Sequence, residues 1–290
     1  MFTLRQYLLA LLDSRGLTRT LGEIDVCRDE QGRPCFSAGN SAAVFRIRLG
    51  GRIRSLSCYL RPMRHLKEIY GQRLLEKELY LHTSPETGVW VDTVLGDWIE
   101  GSTLHETVAQ AAALRDRESL QILVRLFDRL ALALVTDDRA HGDLKPENII
   151  VGDDGTLCPI DFDASYLPAF AGEISPELGT AAYQHPARTA ADFDERIDDY
   201  PAALISTALH ALAENPTLWD RYGSSDGLLY TPQRIASDPA YRETLALFEK
   251  RGMAVQYRIA QLLTAPTLRL FGLAELLAEA VREKPAVRRG

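Results

Sequence analysis

His141-Gly142-Asp143-Leu144-Lys145-Pro146-Glu147-Asn148, then Ile149-Ile150-Val151 and, after a short interval, Asp161-Phe162-Asp163 make up the stretch on which the reading of this chain turns. Between its two polar clusters, Gly152-Asp153-Asp154-Gly155 separates Ile149-Ile150-Val151 from Cys158-Pro159-Ile160, the pattern of two short strands joined by a tight turn. Each cluster has an ordinary reading alone. H-G-D is a common turn with an Asx hydrogen bond, and Asp-Phe-Asp can be the exit of a strand. Their conjunction asks for more.

Working outward, the composition bounds the answer. With 290 residues, a quarter of them charged and 46% hydrophobic, the chain suits one large domain or two lobes. A net charge of −7 leaves no basic footprint, which argues against nucleic acid as the main partner. Cys27, Cys35, Cys58 and Cys158 show neither a C-x-x-C nor a metal-ligand spacing, so they read as reduced thiols of a cytoplasmic protein. The run Gln6 to Leu12 meets Asp13 and Arg15 too soon for a signal peptide. No stretch approaches about eighteen apolar residues, so no membrane span is expected.

Upstream, Phe2, Leu4, Tyr7, Leu8, Leu11 and Leu12 predict a helix over residues 2–12 with Gly16 as its stop. Ile24–Cys27 and Cys35-Phe36 read as a hairpin, and Ala43–Leu49 and Ile53–Leu60 as a second one turning at Gly50-Gly51. Leu66, Ile69, Tyr70, Leu74 and Leu81 predict a helix from about His65 to Leu81, before a strand at Val89–Val94. Leu120, Leu123, Val124, Phe127, Leu130, Ala131 and Leu134 predict an amphipathic helix over Ser119–Val135. Further helices are expected at Leu204–Leu212, Pro239–Phe248, Ala254–Leu263 and Leu273–Arg282. The tail Glu283 to Gly290, with Lys284, Arg288 and Arg289, is expected to fray.

The stretch 141–163 resembles the catalytic loop and metal-binding segment of the eukaryotic-type protein kinases, H-R-D-L-x-x-x-N followed by D-F-G. The thirteen-residue step from Asn148 to Asp161 matches that family. Gly179-Thr180-Ala181-Ala182-Tyr183-Gln184-His185-Pro186 resembles its G-T-x-x-Y-x-x-P-E stretch, with Ala187 where the glutamate stands, and Asp198-Asp199-Tyr200 resembles the start of its central helix. The resemblance implies an α+β, bilobal fold, with a β-rich N-terminal lobe and leading helix over 1–97 and a helical C-terminal lobe over 98–290. It implies ATP and Mg²⁺ as cofactors, and phosphoryl transfer to a Ser/Thr hydroxyl of a protein substrate. Asp143 would orient the acceptor hydroxyl, Lys145 would sit near the transferring phosphate, and Thr180 would lie beside both. Asn148 and Asp161 would be the metal ligands. Asp198 would accept backbone N–H groups of the catalytic loop. Gly142, in place of the family's arginine, implies no strict need for phosphorylation of the activation segment.

The nucleotide positions are matched more loosely. Gly39 and Val44 fit the Gly-rich loop, while Ser57 stands where the family has its phosphate-holding lysine, with Glu76 nineteen residues on as that lysine's partner and Glu68 as a second candidate. Arg46 or Arg48 on the preceding strand, or Arg54 or Arg61 nearby, are the candidates to supply that charge from another position. Glu76 reads equally as a solvated helix carboxylate beside Arg73 or Lys77. Leu95 to Leu104 resembles the hinge, where backbone groups around Asp97 and Ile99 would bond adenine and Thr103 would meet the ribose. Gly96 would leave a deeper pocket behind the base. Asp163 replaces the usual glycine, as a further metal ligand or a stiffener of the turn. Ser57 keeps a second reading open, a pseudokinase serving as nucleotide-binding or scaffold module. A third is a small-molecule phosphotransferase of the aminoglycoside kinase-like type.

Overall fold

The computed structural model describes residues 1–282, which divide into two units between Ile99 and Glu100. The expected fraying of Glu283 to Gly290 lies outside the described residues.

In the N-terminal unit, helix α1 (Leu4–Leu12) starts at a capping box. The Thr3 hydroxyl accepts the Gln6 N–H, and the Gln6 side chain accepts the Thr3 N–H at 2.9 Å. Its buried face of Tyr7, Ala10 and Leu11 belongs to the same core as the strands that follow. Those strands are β1 (Asp25–Val26), β2 (Phe36–Ala38), β3 (Ala42–Leu49), β4 (Arg52–Tyr59), β5 (Leu74–His82) and β6 (Gly88–Asp97). They form an antiparallel sheet in the order β1-β3-β4-β6-β5, with β2 also paired to β3. Period-two alternation sends Ala43, Phe45 and Ile47 of β3 and Leu56 and Cys58 of β4 into the core. Gly50 and Gly51 both take positive φ, 55° and 79°, which the two-residue turn between β3 and β4 demands.

The helix expected from His65 to Leu81 is absent. One helical turn forms, α2 (Leu66–Tyr70), then Gly71 at φ 54° and a 3₁₀ turn lead directly into β5. The apolar spacing of Leu79 and Leu81 serves a strand, in which they are fully buried and pair with Val91 and Val89 of β6. Glu76 and Lys77 fall in the irregular part of β5, where the register shifts between Leu75 and Leu79. Two residues on, the buried Glu78 carboxylate accepts the backbone N–H groups of Arg19, Thr20 and Leu21 at 3.1, 2.9 and 2.9 Å, and the Thr20 hydroxyl at 2.7 Å.

From Glu100 onward the chain is mostly helical. Strand β7 (Gly101–Thr103) leads into α3 (Leu104–Ala113) and α4 (Arg117–Thr136). Next come β8 (Ile149–Gly152) and β9 (Leu157–Pro159), then α5 (Asp199–Glu214), α6 (Leu218–Tyr222), α7 (Pro239–Arg251), α8 (Ala254–Leu262) and α9 (Leu273–Arg282). The core of this unit forms where the apolar stripe of α4 (Leu120, Leu123, Phe127, Ala131) meets the almost wholly buried α5. Pro201 is tolerated in the first turn of α5 because N–H groups there have no intrahelical acceptor. The small sheet β7-β8-β9 carries the expected hairpin, with Ile150 opposite Cys158. The molecule is thus α+β, a strand-rich unit followed by a helical one. No helix of the described residues is long and apolar enough to cross a membrane.

Candidate active site

The candidate chemistry gathers around the loop between α4 and β8, which is fastened from several sides. Asp198, at the start of α5, accepts the backbone N–H groups of His141 and Gly142, the latter at 3.0 Å. The buried His141 ring links the loop to the exit of β9. Its Nδ1 accepts the Asp143 N–H at 3.4 Å, which leaves Nε2 as the protonated nitrogen, donating to the Ile160 carbonyl at 2.8 Å. The ring also packs on Phe162, with centroids 5.0 Å apart. Gly142 has φ 82°, and a Cβ there would lie 2.0 Å from the Ala164 carbonyl oxygen, so only glycine fits.

These fastenings present Asp143, Lys145 and Thr180 to one another. Lys145 Nζ lies 3.0 Å from Asp143 Oδ2 and donates to the Thr180 hydroxyl at 2.8 Å. The Thr180 N–H donates to Asp143 Oδ1 at 2.6 Å, and its hydroxyl lies 3.4 Å from Oδ2. Gly179 makes that approach possible: at φ 70°, a Cβ on it would sit 2.7 Å from the Gly142 carbonyl and 3.0 Å from Asp143 Oδ1. Burial would raise the Asp143 carboxyl, but Lys145 and the Thr180 donors outweigh it and hold the group below the usual carboxylate range. Asp143 is therefore ionised near neutral pH, although mostly buried.

Asn148 joins the same cluster, its Nδ2 donating to the Asp143 carbonyl at 3.0 Å and to Oδ2 at 3.3 Å. Asp161 follows β9 in the left-handed region, φ 64°, an uncommon conformation for a residue other than glycine. Its side chain keeps a solvent-accessible face. Even so, the protein packed around it, and next the neighbouring Asp163, push the carboxyl up to about 6, against the pull of Lys145. Asp163 itself is buried. Two crowded carboxylates and an amide oxygen are hard donors that a divalent cation would relieve, so this set fits Mg²⁺. Among the described residues no group of three or more His, Cys, Asp or Glu side chains is arranged to hold a metal. Mg²⁺ does not require one, since it retains waters and shares phosphate oxygens.

The residues expected to serve the nucleotide are placed differently. In the N-terminal unit Gly39 opens the turn between β2 and β3, donating its N–H to the Ala42 carbonyl at 2.9 Å. Val44 and Ser57 stand directly opposite across β3 and β4. Glu76 is on a strand and not a helix, and it forms an exposed ion pair with Lys67 at 3.0 Å. Glu68 lies on the single turn α2. The Asp97 carboxylate pairs with Arg54 at 3.0 Å, and the Asp97 carbonyl accepts the Ser55 hydroxyl at 3.1 Å. At Gly96 a Cβ would lie 2.7 Å from Ser55 Oγ. Ile99 closes this unit. Thr103, in the C-terminal unit, caps α3 in a box with Glu106. Of the four arginines, Arg48 lies 3.7 Å from Asp25, Arg54 is held by Asp97, and Arg61 donates to Ser41 Oγ at 2.7 Å. Arg46 lies over Trp98, 5.6 Å from its ring, and shares a sheet face with Val44 and Ser57.

No family model matches the chain. It is similar to CBL-interacting protein kinase 17 of Oryza sativa subsp. japonica, 28% identical over 172 residues, 56% of this chain and 35% of that protein. It is 34% identical over 113 residues to serine/threonine-protein kinase PknL of Mycobacterium tuberculosis, covering 37% of this chain and 27% of the relative. To serine/threonine-protein kinase chk1 of Schizosaccharomyces pombe it is 23% identical over 212 residues, 69% of this chain and 41% of the relative. These similarities, at modest identity, support a place for the chain in a protein kinase-like superfamily. It spans between 27% and 41% of the length of these three curated relatives.

Within this kinase-like architecture, sequence reasoning missed Arg188 and Gln184. The Arg188 guanidinium is buried and donates from Nη1 to the Gly142 carbonyl at 3.0 Å and to Gln184 Oε1. Burial pulls its pKa down, opposed chiefly by Asp198 and Asp143. The available signal was a basic residue directly after Ala187, where the kinase-like motif loses its acid.

Proposed function

We propose that this chain transfers the terminal phosphoryl group of ATP, with Mg²⁺, to a Ser/Thr hydroxyl of a protein substrate. The observation that carries the reading is the mutual contact of Asp143, Lys145 and Thr180. An ionised carboxylate held by a lysine and a backbone N–H can accept a hydrogen bond from an incoming hydroxyl and fix its line of attack. Lys145 supplies positive charge beside the same point. Asp161 and Asn148 would hold the metal, which when bound neutralises charge on the phosphate oxygens. Gly39, Val44, Asp97, Ile99 and Thr103 remain the proposed nucleotide positions. Serine/threonine kinases among the relatives support a protein as acceptor. Four free cysteines support a reducing, cytoplasmic setting.

Ser57 supports a second reading, a nucleotide-binding module with little or no transfer, because no lysine occupies the strand position opposite Val44. Thermal unfolding with excess Mg·ATP and transfer of labelled phosphate to the chain or a generic protein separate the two. On our reading both signals appear, and Asp143→Ala lowers transfer about 10²- to 10⁴-fold while keeping the thermal shift. Equal labelling by Asp143→Ala would remove the role given to that residue. A shift without labelling would favour the binding module, and labelling of a small alcohol in place of proteins a small-molecule phosphotransferase.

A further inference from the structure

The Gly142 peptide groups are gripped from opposite sides by opposite charges. Its N–H is held at 3.0 Å by the Asp198 carboxylate, and its carbonyl at 3.0 Å by the Arg188 guanidinium. The next residue is Asp143. Gly142 can contribute no side chain of its own, since a Cβ would clash with Ala164, so any charged support must come from elsewhere in the chain. Arg188 supplies it from 46 residues downstream, and lies on the same segment as Thr180, whose N–H fixes Asp143 Oδ1. Gln184 extends the link by accepting from the same Nη1. Arg188 is only 8% exposed, a burial that an arginine accepts only with compensating charge.

We propose that Arg188 is a positioning residue for the transfer reaction: with Asp198 it clamps the Gly142 peptide and thereby fixes where Asp143 meets the acceptor hydroxyl. The proposal rests on the phosphotransfer reading for its kinetic consequence, whereas the clamp itself can be observed without activity. Charge-assisted bonds at both ends of one residue leave the loop little freedom, and a small displacement of a catalytic carboxylate is costly to rate.

The test compares Arg188→Met and Arg188→Lys with the native chain by amide hydrogen exchange and by steady-state kinetics. Arg188→Met is expected to speed exchange at His141 to Asp143 at least tenfold, leaving α4 and α9 protected as before. Its kcat should fall about 100-fold with KM for ATP within twofold, and Arg188→Lys should recover part of both effects. Unchanged exchange at His141 to Asp143 in a folded Arg188→Met protein would overturn the clamp. A loss confined to KM, or native kcat in that variant, would overturn its positioning role. If Arg188→Met does not fold, Arg188→Lys decides alone: a carrier of charge without the planar fork should still exchange faster at Gly142, and native exchange there would refute the proposal. A native chain with no transfer activity would count against the phosphotransfer reading and leave the exchange result as the measure of the clamp.

Discussion

The two units handle their polar side chains in contrasting ways. From His141 to Arg188, a residue of the candidate site typically has partners from two or three separate stretches of chain, and Asp143 alone meets Lys145, Asn148 and Thr180. In the N-terminal unit Lys67 with Glu76 and Arg48 with Asp25 form exposed pairs, and Arg54 holds the Asp97 carboxylate and the Gly96 carbonyl. The residues proposed to meet an acceptor hydroxyl are held by several partners each, whereas Ser57 leaves the proposed phosphate-holding position without a cation of its own. Any catalytic deficit is therefore expected in nucleotide alignment and not in acceptor activation.

The strongest way to sharpen that contrast is Ser57→Lys, which restores charge on the sheet face shared with Val44 and Arg46. A gain in transfer rate of about tenfold or more is expected if phosphate alignment limits the native chain. No gain would locate the limit elsewhere, with Arg46 the first residue to replace.

A smaller effect separates the units by pH. The Asp161 carboxyl lies raised to about 6, so its contribution to stability is complete below the unfolded value near 3.8 and is lost as pH rises through 6. Without metal, the unfolding midpoint should climb as pH falls from 7.5 to 5.5. Added Mg²⁺ should raise it by a few degrees at pH 7.5 and hardly at all at 5.5, where protons compete for the ligand. Asp199 is also pushed up to about 6, by burial, and contributes with the same sign. Asp161→Asn, which removes only the first group, should abolish the Mg²⁺ response while keeping the part of the pH slope due to Asp199. A Mg²⁺ response that survives in Asp161→Asn would place the metal elsewhere.

The smallest expected effect is at Glu76. Both it and its partner Lys67 are exposed. Glu76→Ala should change transfer by less than twofold. A loss of a hundredfold would mean that Glu76 leaves Lys67 for a role at the nucleotide, and the contrast between the units would weaken.

How much could be read from the chain follows from the same contrast. Asp143, Lys145, Asn148 and Asp161 were legible because their spacing is fixed by a loop and a hairpin, and Thr180 because its motif is local. The α4 stripe was legible because seven apolar residues at helical spacing admit one reading. Residues 65–81 were misread because Leu74 and Leu81, seven apart, suit a helix, while Leu79 and Leu81 suit a strand. Tertiary pairing with β6 decided between them. Arg188 was invisible for another reason. Its meaning lies in a carbonyl 46 residues away, and no local pattern announces such a partner.

Glu78 carries a consequence for how the N-terminal unit can be cut. Its carboxylate is buried against three backbone amides of Arg19 to Leu21, so these residues are donors that the sheet needs. A protease nick at Thr20, or a fragment begun at Ile24, would strand a negative charge in the interior without donors. The first two dozen residues therefore belong to the cooperative unit, and resistance to limited proteolysis at Thr20 should disappear only when the whole sheet melts.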